Sequence, residues 1–299
     1  MPELPEVETV KLGLNDLIIG KTIKSISHDA EKVFPNTKGD VKNFALSKRV
    51  IGIRRRAKVL MIDLSSDYSF MIHLKMTGQI VFRGAEYSKG SGPTKSNFAA
   101  GHPNVSMVGE LPDKTTRVTI NFTDGSRLFF NDQRKFGWMR LLPTAEVPKT
   151  KFMQNVGPEP LEDEFTLEDF KARFGRKKRS KIKAALLDQS VIAGVGNIYA
   201  DESLFYAKVH PERLVGSLND RELKDLYDGV RKVMGESIKV GGSSLKNYVD
   251  SEGRQGSYLD KFAEVFNRKD QPCSRCNHEI IKMRVAGRGT HICPICQKK

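Results

Sequence analysis

An α+β chain of more than one domain is predicted by three observations. The first half carries short β-type runs closed by turn residues, the second half carries runs of helical period, and all four cysteines lie between Cys273 and Cys296. The 299 residues suffice for about two domains.

Charge narrows the class of partner. Lys and Arg total 50 against 36 Asp and Glu, a formal net charge of +14. Such an excess suits a polyanion, although a soluble protein can be merely basic. No apolar run reaches the roughly 18 residues of a membrane span. The acidic amino terminus lacks the basic-then-apolar pattern of a signal sequence. A cytoplasmic protein with reduced thiols and no membrane partner is expected.

In chain order, Val7, Val10, Leu14, Leu17 and Ile18 recur at helical spacing, and Gly20 ends the run. Residues 21–29, 49–64, 69–74 and 79–82 read as strands. Residues 117–122 and 126–130 form the clearest pair, since they flank Thr123-Asp124-Gly125 and Asp-Gly favours a hairpin. Several short strands with turn residues predict a β-sandwich. Between Gly84 and Asp113 the composition turns to Gly, Ser, Pro, Asn and Thr, which predicts a long surface loop. Residues 142–163 carry Pro143, Pro148, Pro158 and Pro160 and read as a linker. Helices follow: a capping-box start at Thr166–Asp169, a basic segment over 176–187, and an amphipathic run from Ser217 to Gly241-Gly242.

Three stretches carry chemistry. Pro2 follows Met1, and its small side chain is of the kind after which the initiator is removed. Removal leaves a secondary α-amine, a class with a reference pKa of about 7.7–8.0. An unprotonated amine can attack a sugar C1′ and form a Schiff base. Glu3, Glu6 and Glu8 follow, and a carboxyl beside such an amine can move protons. The same residues also suit the dipole of an ordinary capped helix.

The second stretch is Gly194-Val-Gly-Asn197, at the start of a helix. It imitates a dinucleotide-binding turn, but Tyr199 occupies the third small-residue position and no alternation of strands and helices flanks it. No nucleotide cofactor is expected. Glycines and a helix start suit a phosphate equally well. The third stretch pairs Cys273-x2-Cys276 with Cys293-x2-Cys296, a spacing suited to one tetrahedral structural zinc. His278 and His291 are near enough to compete as ligands.

Four segments in order resemble one family: the PELPEVE start, Arg55-Arg-Ala-Lys58, Gly194-Val-Gly-Asn-Ile-Tyr199 and the paired-cysteine hairpin. They are similar to the formamidopyrimidine-DNA glycosylases, bifunctional enzymes of base excision repair. The resemblance implies an N-terminal catalytic β-sandwich over 1–145 with an amphipathic helix and an insertion at 84–113. It further implies a linker over 146–164, a helical helix–two-turns–helix domain over 165–262 and a zinc-finger β-hairpin over 263–299. It implies excision of 8-oxoguanine and formamidopyrimidines through a Schiff base at Pro2, then strand cleavage by β,δ-elimination. Glu3 and Lys58 join Pro2 as catalytic residues. Glu6, Met76, Arg134, Phe136, Lys183, Asn197, Tyr199 and Arg288 contact substrate or DNA, with Met76, Arg134 and Phe136 as wedges. The 241–258 loop closes over the extruded purine. The expected partner is damaged double-stranded DNA, bound by a monomer. Two departures stand out: Lys75 replaces a small Gly, and Gln133 replaces Pro.

Two rival readings are discriminated by residues. An endonuclease VIII-like enzyme for oxidised pyrimidines keeps Pro-Glu but usually lacks Leu4 and the Arg-Lys-Phe wedge found here. A non-catalytic lesion-binding protein would not need Pro2, Glu3 and Lys58 together.

Overall fold

The computed structural model describes residues 2–87, 97–102, 105–242 and 258–299. The chain divides into two compact units, residues 1–154 with 241–256 and residues 155–240 with 257–299.

The first unit opens with helix α1 (Leu4–Ile18), whose Val7, Val10, Leu14 and Ile18 are buried. It continues through β1 (Ile23–His28), α2 (Lys38–Phe44), β2 (Val50–Arg56), β3 (Val59–Leu64), β4 (Tyr68–His73) and β5 (Gly78–Arg83). Then come β6 (Asn97–Gly101), β7 (Thr116–Phe122), β8 (Arg127–Asp132), β9 (Trp138–Pro143) and a short α3 (Lys151–Gln154). A five-stranded sheet runs β1-β7-β8-β5-β6 and a four-stranded sheet runs β2-β3-β4-β9. Side chains of both sheets and the apolar stripe of α1 share one core, including Phe34, Phe70, Phe82, Phe122 and Phe130. This is the expected sandwich, with the helix completing it.

Residues 84–113 are not simply a surface loop. Asn97–Gly101 pairs with β5 over Arg83↔Asn97 to Gln79↔Gly101. Phe98 is buried so closely against α1 that a Cβ on Gly13 would lie 2.1 Å from its ring. Glycine at 13 is what lets helix and strand approach. On the outer sheet face, Ala99, Met107 and Leu111 cover Val81 and Phe129. The linker expectation also needs amending at its start. Val147, Phe152 and Met153 pack over Met61 and Met71, so this stretch belongs to the sandwich.

The second unit holds α4 (Leu167–Gly175), α5 (Ile182–Leu187), α6 (Asn197–Tyr206), α7 (Asp220–Lys239), a short α8 (Tyr258–Lys261) and the hairpin β10 (Ile281–Val285)–β11 (Arg288–Ile292). The capping box forms: Asp169 N–H donates to Thr166 Oγ1 (3.2 Å) and Thr166 N–H to Asp169 Oδ2 (3.3 Å). The basic stretch 176–181 is not helical; α5 starts only at Ile182. Gly175 ends α4, and the chain passes through turns over 176–180 before α5.

Candidate active site and DNA interface

Within the first unit, Pro2 and Glu3 are buried at the entrance to α1. Glu3 N–H donates to Glu6 Oε2 (2.8 Å), so Glu6 fixes the backbone beside Pro2. Gly242, the last residue described before 258, lies against Glu6, 3.4 Å from its Cγ to an ideal Cβ position. The rest of the expected closing loop, 243–257, lies outside the described residues.

Lys58 is not on a strand face with Arg54 and Arg56. It sits in the tight turn between β2 and β3, after Ala57 at φ 53°. It is only 5% exposed. Arg54 has its own anion, donating to both oxygens of Asp63 at 2.5 and 2.8 Å. Arg55 takes the opposite face. Its Nε donates to Glu8 Oε2 (2.6 Å) and its Nη1 to the carbonyl of Ala57 (3.1 Å). One guanidinium thus ties α1 to the turn that carries Lys58. Burial raises the pKa of Glu8, but the Lys11 and Arg55 hydrogen bonds outweigh it and hold Glu8 below the ordinary range.

His73 gained no role from its sequence position. Strand register pairs it with Val59, next to Lys58. Its ring lies between Trp138 and Phe152, with centroids 5.7 and 5.5 Å away. Burial, then the positive charges of Lys75 and Lys58, push its pKa down to about 3. Nδ1 accepts from Lys75 N–H (2.9 Å), so the neutral ring carries its proton on Nε2. The one sequence signal is its place in the expected strand 69–74, three residues before Met76.

The three residues expected as wedges lie on two neighbouring loops. Met76 (39% exposed) sits between β4 and β5, and Arg134 and Phe136 (50% exposed) sit between β8 and β9. Arg134 stacks its guanidinium on Phe136, 4.6 Å from the ring centre. Each loop has a left-handed residue, Lys75 (φ 52°) and Lys135 (φ 54°). A position that favours glycine explains why Lys75 is a departure.

In the second unit, Gln189 holds the Gly194–Gly196 turn by accepting from Gly194 N–H (3.0 Å) and donating to the Val195 carbonyl (2.8 Å). Asn197 then begins α6, and its Nδ2 donates to the carbonyl of Gly289 (3.0 Å). Two residues expected at the DNA are buried. Lys183 is wholly buried and donates to Asp201 Oδ1 (2.6 Å), Thr290 Oγ1 (2.8 Å) and the Gly289 carbonyl (3.1 Å). A buried amine so engaged does not present its charge to a phosphate. Tyr199 is likewise buried, its hydroxyl 2.5 Å from Ser237 Oγ. Arg288 is exposed; it is the first residue of β11, paired with Val285, and the turn is Ala286-Gly287.

The four cysteines converge, every sulfur within 4.8 Å of the others. Cys273–Cys296 and Cys276–Cys293 sulfurs are 3.9 and 3.4 Å apart. A Zn–S bond of about 2.3 Å in a tetrahedron puts sulfurs about 3.8 Å apart, so the donor set fits one structural zinc. His278 and His291 are outside this cluster. His291 instead donates its backbone N–H to Asp201 Oδ2 (2.9 Å).

The zinc-bearing segment grips α6 along its length. Glu202, 2% exposed, accepts from the N–H groups of Glu264, Val265 and Phe266 at 2.9, 3.0 and 2.7 Å. Arg275 donates to the Phe205 carbonyl (2.7 Å) at the helix end and stacks on the Phe205 ring. Burial drives the Glu202 pKa up to about 7 despite its three donors. Among the described residues, no helix is long and apolar enough to cross a membrane.

Comparison with known proteins agrees with this architecture. Residues 1–139 match the formamidopyrimidine-DNA glycosylase N-terminal domain, 156–249 its H2TH domain, and 270–299 the zinc finger found in FPG and IleRS. The formamidopyrimidine-DNA glycosylase of Pelotomaculum thermopropionicum is 38% identical over all of this chain and 99% of its own. That of Listeria monocytogenes is 39% identical over the whole of both. A solved complex of Lactococcus lactis Fpg with abasic-site DNA superposes with a TM-score of 0.83 at 34% identity, over 99% of this chain and 100% of that one. A complex of MutM with DNA containing carbocyclic 8-oxo-G gives 0.82 at 34% identity over the whole of both. With all three of its family regions matched in order and relatives spanned end to end, the chain belongs to the formamidopyrimidine-DNA glycosylase family.

Proposed function

We propose that the chain excises oxidised purines from duplex DNA and cleaves the resulting abasic site, using the Pro2 amine as nucleophile. The observation that carries this reading is the buried entrance of α1, where Glu6 fixes the backbone beside Pro2 and Arg55 ties the helix to the Lys58 turn. Freed of Met1, the Pro2 nitrogen bonds to C1′ while the C1′–N bond to the base breaks; the base leaves with that electron pair and takes up the proton that the amine sheds. Protonation of the ring oxygen by Glu3 opens the sugar and yields an iminium. A secondary amine gives an iminium with no N–H to lose, so its charge persists and acidifies C2′. Loss of a C2′ proton expels the 3′ phosphate, and a second elimination expels the 5′ phosphate.

Lys58 holds the neighbouring phosphate and aligns C1′ with the amine, a positioning role. Neutral His73 beside it offers an Nε2–H without adding charge. The target nucleotide must leave the stack, as glycosylases in general require. Met76 and Phe136 then fill the gap, and Arg134 faces the orphaned base. Asn197 and Arg288 take the backbone, while Lys183 and Tyr199 shape the surface from beneath. The substrate places the protein with chromosomal DNA in the cytoplasm, acting as a monomer.

Borohydride trapping tests this. Reduction during turnover is expected to leave a covalent protein–DNA adduct at residue 2, and protein retaining Met1 is expected to give none. An adduct that maps to Lys58 by peptide sequencing would overturn the mechanism.

A further inference from the structure

The two wedge loops share a course. Each bridges the four-stranded sheet, where His73 pairs with Trp138, and the five-stranded sheet, where Gly78 pairs with Asp132. They therefore run side by side between the sheets, and one carboxylate joins them. Asp132 is wholly buried. Its Oδ1 is hydrogen-bonded to Thr77 Oγ1, on the Met76 loop. The same oxygen accepts from Arg134 N–H (3.2 Å), and Oδ2 accepts from Gly137 N–H (2.6 Å), at the two ends of the Arg134–Phe136 loop. Thr77 Oγ1 also accepts from Arg134 N–H (3.1 Å).

The backbone holding this carboxylate is itself fixed. Asp132 N–H donates to the Thr115 carbonyl (2.8 Å), and buried Arg117 donates Nε–H to the Asp132 carbonyl (2.9 Å). Gly137 has no room for a side chain, because a Cβ there would meet the Phe130 ring at 2.7 Å. The exposed side chains Met76 and Phe136 thus stand on a buried, hydrogen-bonded base.

We propose that Thr77 and Asp132 form a clamp that makes the two loops one rigid wedge, so that Met76, Arg134 and Phe136 enter the duplex together. This rests on the wedge reading above. Thr77 and Asp132 touch no reacting atom; they are positioning residues. A rigid pair meets the cost of unstacking in a single step, whereas two loose loops must each be ordered on DNA.

Single-turnover excision tests the clamp. Thr77→Val keeps the shape and removes the hydroxyl, and Thr77→Ser restores it. Each is compared on an oxidised purine in intact duplex and on the same lesion opposite a gap, where nothing needs wedging. Phe136→Ala is the reference. Thr77→Val is expected to slow intact-duplex excision about tenfold, within the coupling seen for residues of one network, and to leave the gapped substrate nearly unchanged. Thr77→Ser is expected to recover the rate. Equal losses on both substrates, or no recovery by Thr77→Ser, would overturn the clamp as mere structural damage. A loss with Phe136→Ala but none with Thr77→Val would overturn the clamp and leave the wedges standing. No loss with Phe136→Ala would remove the wedge reading and the clamp with it.

Discussion

Lys183 Nζ lies 2.6 Å from Asp201 Oδ1, and neither side chain has any exposure to solvent. Asp201 uses its other oxygen on the His291 N–H, and Lys183 uses its remaining donors on Thr290 and Gly289. The pair therefore sets the strand that begins with Arg288. The Lys183 charge is turned inward, beneath the strand that carries Arg288.

Lys183→Met leaves the Asp201 carboxylate buried without its cation, which costs about 3–5 kcal/mol when one partner is removed. The expected result is a large fall in melting temperature and weaker binding to damaged and undamaged DNA alike. Arg288→Ala, in contrast, is expected to leave stability almost unchanged and to make the slope of log K against log salt shallower by about 1. A Lys183 variant of unchanged stability with that shallower slope would put Lys183 on the DNA.

Elemental analysis is expected to find one zinc per chain. The metal supplies much of the folding energy of so small a hairpin, so chelation should unfold residues 273–296 and weaken DNA binding. The Arg275 hydrogen bond to the end of α6 is lost with it. DNA affinity that survives complete removal of the metal would refute this.

Glu202 makes stability depend on pH. Its folded pKa of about 7 stands above the ordinary 4.5, so the fold holds this proton more tightly than the unfolded chain does. That contribution is complete below pH about 4.5 and is lost as pH rises through about 7, a change of about 3 kcal/mol. Glu202→Gln cannot titrate, so denaturation of both proteins across this window isolates the effect. The parent should lose stability relative to the variant as pH rises. A gain would mean that the three N–H donors outweigh burial.

Lys75→Gly should stabilise the protein by about 0.5–1 kcal/mol, since a left-handed side chain costs about 1–2 kcal/mol and glycine returns part of that as unfolded-state entropy. Thermal denaturation decides. A net loss would show that the Lys75 side chain holds the loop in place.

Much of this was legible in the residues. The stripe Val7, Val10, Leu14, Ile18 needs only helical period, the 116–132 hairpin only alternation and Asp-Gly, and the cysteine cluster only spacing. Strand β6 was hidden because Gly-Ser-Pro composition around it outweighs five residues whose pairing depends on a distant strand. Its Phe98 is buried only because Gly13 makes room. The burial of Lys183 was hidden for a related reason: a sequence displays charge, whereas burial depends on Asp201 and on a hairpin a hundred residues away. His73 lacked any local sign of its Trp138–Phe152 cage, since both partners come from later segments. Lys58 was found through resemblance, but its turn was taken for a strand because Ala57 gives no warning of a left-handed backbone.

The grip of the zinc-bearing segment on α6 bears on how such proteins can be recombined. Asn197, Asp201, Glu202, Phe205 and Tyr206 each hold a group of residues 264–291 by side chain or carbonyl. The cysteine-bearing hairpin is therefore not a portable cassette. A chimera that exchanges residues 263–299 alone between distant relatives would join a foreign hairpin to a helix cut for another. The exchangeable piece is discontinuous: α5, the glycine turn and α6 travel with the hairpin, or neither arrives intact.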